Sequence, residues 1–475
     1  MTLIKSISGI RGTIGGSEGV NLTPPDVVRF VSAYTAYIRR SAGGARRKAG
    51  GVVGRIKIVV GRDARLSGEM VHSLMVGTLI GCGVDVVDTG LCTTPGVEMA
   101  VVHYGAHGGI IVTASHNPRQ WNALKLLDGR GEFLSAGAGA EILRSADAGE
   151  FDYAGIDDLG RVVERVDFTE THIAAVLALP LVDAAAVRAR RFRVVVDAVN
   201  SVGGVAIPAL LEALGCEVVR LNCEPTGEFA HNPEPLPENL TEIAATVVRA
   251  RADMGVVVDP DVDRLALVCE NGAMFDEEYT LVAVADYVLG SMGGGNTVSN
   301  LSSSRALRDV TERHGGRYEA AAVGEVNVVA KMKETGAVIG GEGNGGVIYP
   351  ALHYGRDALV GVALVLTHLA RTGLTMTQLR ASYPDYHISK NKVELTPSTD
   401  VDVILDAVKT AYTGAAGVER VTDMDGVKID FADRRWVHLR RSNTEPIIRL
   451  YCEASDSDAA KSLAAEMTER IAKLS

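Results

Sequence analysis

The segment Asp259-Pro-Asp-Val-Asp-Arg264 places three carboxylates at alternate positions. Like charges this close repel, and a shared hard cation removes the repulsion. Oxygen-only ligands suit Mg2+, so Asp259, Asp261 and Asp263 are candidate metal ligands. Arg264 adds a forked donor to an otherwise acidic site, which suits a phosphate. A calcium loop that also uses Glu270 is a rival reading. It requires glycine where Arg264 stands, and helices where the pattern gives strands. An acidic surface turn is the plainer alternative. Thr113-Ala-Ser-His-Asn-Pro118 sets a serine directly after an apolar strand pattern. No Gly-x-Ser-x-Gly surrounds Ser115, so it does not read as an acyl-transfer nucleophile. It reads as a carrier of a phosphoryl group, with His116 and Asn117 placed to hydrogen-bond the phosphoryl oxygens, or as a turn closed by local side-chain bonds. Lys125 follows ten residues after Ser115. Beside a phosphoserine it offers charge neutralisation or proton transfer; alone it reads as a surface lysine.

Two further segments suit binding. Gly340-Gly-Glu-Gly-Asn-Gly-Gly346 combines glycines, which admit a ligand close to the backbone, with Glu342 and Asn344. A carboxylate and an amide suit vicinal sugar hydroxyls. The spacing matches neither the P-loop nor the dinucleotide fingerprint. Arg440-Arg-Ser-Asn-Thr-Glu-Pro446 gathers two guanidiniums, the hydroxyls of Ser442 and Thr444 and the amide of Asn443, with Arg449 just beyond. Such a set makes an anion cradle or a solvated turn. Near the N-terminus, Ser8-Gly-Ile-Arg-Gly12 and Gly61-Arg-Asp-Ala-Arg-Leu-Ser-Gly68 add arginines beside glycines, Arg11 among them.

The elements that must carry these segments alternate between short apolar runs and helical spacing. Strands are predicted over 56–60, 84–88 and 109–112, with helices over 69–80 and 97–104 between them. This is a βαβαβ unit, in which ligands gather at the carboxyl ends of parallel strands. The pattern restarts with strands over 193–197, 217–221 and 254–258 and helices over 206–214 and 240–251. A third round runs from a strand over 265–269 through helices at 279–289, 304–314 and 326–333 to a strand at 337–340 and a helix at 357–369. Strand-like runs dominate 388–452, and a helix over 459–474 follows, which reads as a small α+β domain. The expected class is α/β, with three similar mixed-sheet α/β domains and a C-terminal α+β domain.

Composition excludes several classes. The chain has 475 residues, 47% of them hydrophobic and 23% charged, so it folds rather than stays disordered. Its net charge of −11 argues against a general nucleic-acid or anionic-membrane binder. The basic stretch 39–55 lacks interleaved aromatics and reads as a solvated loop. No run approaches the roughly 18 apolar residues of a membrane span, and the longest candidate, 173–182, is interrupted by Pro180. Six cysteines without a Cys-x-x-Cys pair read as reduced thiols. With an N-terminus unlike a signal peptide, the expectation is a soluble cytoplasmic protein.

Taken in order, the motifs resemble those of the α-D-phosphohexomutase superfamily, and the resemblance covers essentially the whole chain. It implies four domains around a central cleft, each giving one loop: residues 1–158 with a phosphoserine loop, 159–272 with a metal loop, 273–384 with a sugar loop and 385–475 with a phosphate loop. Ser115 is then the phosphorylated serine, with His116 beside it. Asp259, Asp261, Asp263 and a phosphoserine oxygen hold Mg2+. Glu342 and Asn344 face sugar hydroxyls, and Arg440, Ser442, Asn443 and Thr444 hold phosphate. Arg11 and Lys125 match positions near the reacting group. Residues 229–235, with Asn239 and Leu240, also resemble a stretch found before the metal loop. The implied reaction interconverts hexose 1- and 6-phosphates through a bisphosphorylated intermediate, with hexose 1,6-bisphosphate as activator. Lys125 is the preferred handler of the hydroxyl proton, and phosphoglucosamine is the favoured substrate ahead of phosphomannose or phosphoglucose. The partners implied are a small phosphosugar, no nucleic acid and no membrane, for a monomer or homodimer. The sequence departs from the pattern at Pro260, Ala123, Asn344 and Gly346. Gly346 stands where several members carry histidine, and His353 is a candidate substitute.

Overall fold

The computed structural model describes residues 2–6, 9–42, 55–394, 400–441 and 447–473. The chain divides into two compact units. One comprises Met1–Thr280 with Gly345–Thr377, the other Leu281–Asn344 with Gln378–Ser475.

The first unit contains two mixed sheets. The larger runs in the order Ile4–Ser6, Gly9–Thr13, Trp121–Leu127, Gly108–Val112, Lys57–Arg62, Asp85–Leu91, Val162–Arg165. Its middle is parallel, as the βαβαβ reading requires. Trp121–Leu127 pairs antiparallel with both Gly108–Val112 and Gly9–Thr13. The strand that bears Lys125 is therefore set by hydrogen bonds beside the strand that leads into Ser115, with the Arg11 strand one place beyond it, a placement that the sequence pattern did not reveal. Ile58, Val60, Ile110 and Val112 face one core while Val59 and Ile111 face another, which explains the unbroken apolar runs. The second sheet orders Leu265–Cys269, Met254–Val258, Arg193–Asp197, Glu217–Leu221. Leu265–Cys269 pairs antiparallel with Met254–Val258, so it closes this sheet rather than opening a third round. Between those two strands the chain reverses through Asp259–Arg264, which fixes the metal loop at a strand end. The helix Ala358–Thr372 has buried residues on all sides from Ala358 to Leu369, and Asp357 caps it by accepting from the amides of Leu359 and Val360.

In the second unit, Thr297–Asn300 pairs in parallel with Tyr318–Ala321 and Ile339–Glu342, so Glu342 sits at a strand end. The last sheet is antiparallel, in the order His387–Glu394, Ile447–Ala454, Trp436–Arg441, Val427–Phe431, Val418–Thr422. Helices Val401–Tyr412 and Ser457–Ala472 bury one of its faces. The first of these helices was not predicted. Among the described residues, no helix is long and apolar enough to cross a membrane. All six cysteines are free, and five are buried.

Candidate active site

Ser115 is buried and takes φ +49, a left-handed conformation that a serine adopts only when its surroundings impose it. Those surroundings are built on Arg65, a fully buried guanidinium. It donates to the carbonyls of Ser115, Asn117 (2.6 Å), Pro118 (2.9 Å) and Trp121 (3.1 Å), and to Asp63 Oδ2 (3.1 Å). All five of its N–H groups are thus directed. Asp63 also accepts from Thr113 Oγ1 (2.6 Å), and Thr113 Oγ1 in turn accepts from the Ser115 amide (3.0 Å). The serine backbone is clamped from both sides while its hydroxyl stays free to react.

That hydroxyl donates to Asp259 Oδ2 at 2.7 Å, and His116 Nδ1 lies 3.4 Å from the same oxygen. The three aspartates of the metal loop are all buried, with ligand atoms within 4.8 Å of one another. Val262, between two of them, takes φ +66. A β-branched residue there is strained, and the hydrogen bonds around it must hold it in place. Asp261 Oδ2 accepts from Thr94 Oγ1 (2.5 Å) and Lys125 Nζ (2.6 Å), and Asp263 Oδ2 accepts from Arg356 Nη2 (2.7 Å) and Lys125 Nζ (3.2 Å). The other oxygens, Asp261 Oδ1 and Asp263 Oδ1, are buried without a hydrogen-bond partner. Unpartnered buried carboxylate oxygens are costly unless a cation satisfies them. An all-oxygen set with two such atoms therefore fits a hard metal ion.

The electrostatics divide the groups. Burial and the neighbouring Asp263 and Asp261 charges push the Asp259 carboxyl well above its usual range. Burial also pushes Asp263 up, but Arg356, Lys125 and Arg264 outweigh it and hold that carboxylate well below its usual range. Burial lowers Lys125, yet Asp261 and Asp263 more than reverse this, so its ammonium stays charged. Burial and the cationic Arg264 keep the His116 imidazole neutral. The same two causes lower the pKa of Arg11. Arg264 bonds Asp259 Oδ1 through its amide (3.1 Å), and its buried Nε lies 4.0 Å from Asp263 Oδ1 without a hydrogen-bond partner, a donor suited to an incoming anion.

In the second unit, Glu342 Oε1 accepts from Asn300 Nδ2 (2.8 Å) and the Gly324 amide (3.1 Å), and Asn344 lies two residues on. Arg440 stands directly opposite Arg449, and Arg449 opposite Lys392, on three adjacent strands. Arg440 Nε is buried without a partner. Ser442, Asn443 and Thr444 lie outside the described residues.

The sequence matches the description phosphoglucomutase/phosphomannomutase, alpha/beta/alpha domain I, over residues 3–153, domain II over 170–272 and domain III over 276–386. The C-terminal domain of that family matches over 398–470. The chain belongs to the phosphoglucomutase/phosphomannomutase family. It is 35% identical to a phosphoglucomutase/phosphomannomutase of Thermococcus kodakarensis over 95% of either chain. It is 32% identical to a probable phosphoglucosamine mutase of Methanopyrus kandleri, over 97% of this chain and 96% of the other. A crystal structure of a phosphoglucomutase/phosphomannomutase family protein from Burkholderia thailandensis superposes with a TM-score of 0.82 at 27% identity, over 100% of this chain and 98% of that one. The protein is thus a phosphosugar mutase, an isomerase that works by phosphoryl transfer.

Within this family frame, the structure brings Ser115, His116, Lys125, Asp259, Asp261, Asp263 and Arg264 together in one unit, while Glu342, Asn344, Arg440 and Arg449 belong to the other. Sequence reasoning missed three contributors. Arg65 was expected only to add a cation, but it is the hub of the serine loop. Arg356 and Thr94 were not singled out, although each bonds a metal-loop carboxylate. The Asp63/Arg65 pairing in Gly61–Gly68 was the available signal for the first; nothing local marks the other two. The suggestion that His353 replaces a catalytic histidine is corrected. Its Nδ1 faces Glu98 Oε2 (3.3 Å) and its Nε2 faces Asp357 Oδ2 (3.2 Å), where Asp357 also meets His172 Nε2 (2.8 Å). Burial opposes its charge, but the two carboxylates raise its pKa to about 10. It is a structural imidazolium, not a proton shuttle at neutral pH.

Proposed function

We propose that the protein interconverts a hexose 1-phosphate and its 6-phosphate, with phospho-Ser115 as donor and glucosamine phosphate as the sugar. The observation that carries this reading is the Ser115 Oγ–Asp259 Oδ2 contact of 2.7 Å, which sets a strained serine against a buried carboxylate triad. Asp259, Asp261, Asp263 and the phosphoserine would hold Mg2+, which when bound neutralises charge on the transferring group. The Ser115 Oγ–phosphorus bond breaks as a bond from the free sugar hydroxyl to phosphorus forms, and the proton of that hydroxyl passes, net, to the departing Ser115 Oγ. The bisphosphorylated sugar then turns over, and its second phosphoryl group returns to Ser115.

Lys125 is set aside as the base, because Asp261 and Asp263 keep it protonated; it serves as a fixed cation beside the phosphoryl group. Arg11, lowered in pKa by burial and by Arg264 but still a guanidinium, stands with Lys125 as a cation beside the reacting group, and His116 orients Ser115 Oγ. Arg264 binds phosphoryl oxygens. Glu342 and Asn344 read the sugar hydroxyls, and Arg440 and Arg449 with Ser442, Asn443 and Thr444 hold the other phosphate. Hexose 1,6-bisphosphate primes the serine. Domain limits at 158/159, 272/273 and 384/385 and a cytoplasmic monomer or homodimer complete the proposal. The sugar assignment is supported by relatives named phosphoglucosamine mutase; the Thermococcus kodakarensis relative favours glucose or mannose phosphates as a second reading.

The test follows ³¹P NMR with Mg2+, a trace of hexose 1,6-bisphosphate and, separately, glucosamine, glucose and mannose 1-phosphates. A 6-phosphate signal that grows fastest with glucosamine and is absent in Ser115→Ala supports the assignment. Faster conversion of another sugar overturns the substrate, and release of free phosphate instead makes the protein a phosphatase.

A further inference from the structure

Behind the sugar loop and the phosphate-binding strand of the second unit, one closed circuit of polar contacts runs through Asp425. Its Oδ2 accepts from the Val323 amide at 3.0 Å and pairs with Arg440 Nη2 at 3.3 Å. The next amide along the chain, that of Gly324, donates instead to Glu342 Oε1 at 3.1 Å. Two successive amides thus tie two carboxylates, one beside the phosphate-binding arginine and one beside the sugar. The circuit closes on its other side. The Asp425 carbonyl lies 2.7 Å from His438 Nε2, and His438 Nδ1 lies 2.9 Å from Ser302 Oγ. The Ser302 amide donates to Asn300 Oδ1 (2.9 Å), and Asn300 Nδ2 donates to Glu342 Oε1 (2.8 Å). Burial and Lys428 lower His438 to about 4, so the ring is neutral. Its Nε2 then donates to the carbonyl and its Nδ1 accepts from the serine, which fixes one tautomer. Asp425 itself sits in a tight turn beside Gly426, at φ +72. A Cβ on Gly426 would collide with the Leu439 carbonyl, so the turn holds the carboxylate in place.

We infer that Asp425 is a positioning residue that sets the Arg440 guanidinium in register with Glu342, so that the second unit measures the separation between a phosphate and the sugar hydroxyls. The inference deepens, and rests on, the phosphosugar reading above. Simple electrostatics predicts the opposite behaviour. A carboxylate beside an anion site repels the anion, so its removal alone should tighten phosphate binding. If Asp425 positions Arg440, its removal loosens a charge-assisted contact and weakens binding of the sugar phosphate.

The experiment compares wild type with Asp425→Asn, which keeps size and an acceptor for the Val323 amide but removes the charge, and with Asp425→Glu, which keeps the charge. For the preferred hexose 1-phosphate, Asp425→Asn should raise KM about tenfold with kcat within about twofold. Inhibition by inorganic phosphate, which carries no sugar to register, should stay the same or tighten. Asp425→Glu should recover part of the loss. In an Arg440→Ala background, Asp425→Asn should add little, because the two act as one unit. A KM that is unchanged or lower in Asp425→Asn, or additive with Arg440→Ala, overturns the inference. A melting temperature well below wild type in Asp425→Asn, with kcat and KM disturbed equally, assigns Asp425 a purely structural role and also overturns it. Absence of turnover in the wild type with every hexose phosphate instead rejects the phosphosugar reading on which the inference stands.

Discussion

Around Ser115, the buried cations Arg65 and Lys125 are each matched to carboxylates, and Arg65 is further saturated by four carbonyls. On the last sheet of the second unit, Arg440, Arg449 and Lys392 stand in a row across neighbouring strands, with Asp425 paired to the first. Like charges directly opposite on a sheet are destabilising. The first region carries strain at Ser115 and Val262 and needs internal counter-charges to hold reacting atoms in one geometry. The second sets three cationic side chains opposite one another, a row that the proposed phosphate would help to balance. A phosphoryl-transfer centre is preorganised; a binding cradle is completed by its ligand.

The strongest way to break the contrast is to alter the preorganised side. Ser115→Ala should reduce turnover by about four orders of magnitude or more while the far-ultraviolet spectrum and melting temperature stay near wild type. Retained turnover would refute the carrier role. Next, Arg65→Ala should destabilise by about 3–5 kcal/mol, because it strands the buried Asp63 and frees four carbonyls. Urea unfolding reads this directly, and a loss below about 1 kcal/mol would show that the clamp is ornamental. A third change probes the His353 pair. Its pKa of about 10 lies above the usual value near 6.5 for histidine. The stabilisation is therefore complete below about pH 6.5 and is lost as pH rises toward 10. Wild type should lose about 4 kcal/mol of stability over that range beyond what His353→Gln loses. Equal slopes for the two proteins would contradict the assignment. The smallest effect sharpens the binding side. Arg449→Ala should raise KM about fivefold to tenfold at unchanged kcat and shrink the melting-temperature gain on adding a hexose phosphate. An unaltered KM would remove Arg449 from the cradle.

The serine loop and the aspartate loop were legible because each follows a strand whose β-branched run is unmistakable. Arg193–Asp197, Glu217–Leu221, Met254–Val258 and Leu265–Cys269 fall where the pattern puts them. The antiparallel strand Trp121–Leu127 was hidden, because Asn122 and Lys125 interrupt its apolar character; both are buried, Asn122 bonded to Ser67 and Lys125 to Asp261 and Asp263. The helix Val401–Tyr412 was lost in a stretch of strand-forming residues. The pairing of Leu265–Cys269 with the preceding strand depends on a tight reversal through the metal loop, which periodicity does not encode. Within the site, the carboxylates and the serine were read from local spacing. Arg356, Thr94 and Asp425 were not, because the partners of Arg356 and Thr94 and the Val323 amide that Asp425 accepts from lie roughly a hundred residues or more away in sequence. Their roles exist only after folding. The pairing that keeps Lys125 charged was hidden for the same reason, since its two carboxylate partners are invisible until the strands are placed.

The central claim is that Ser115 carries the phosphoryl group. The most direct test incubates the protein with Mg2+ and hexose 1,6-bisphosphate labelled with ³²P, maps the modified residue by mass spectrometry, and then chases the label with unlabelled hexose 1-phosphate. The account predicts one phosphoryl group on Ser115, none in Ser115→Ala, and its transfer to the sugar as the 6-phosphate appears. Phosphate on another residue, or a label that stays on Ser115 through the chase while 6-phosphate accumulates, would contradict it.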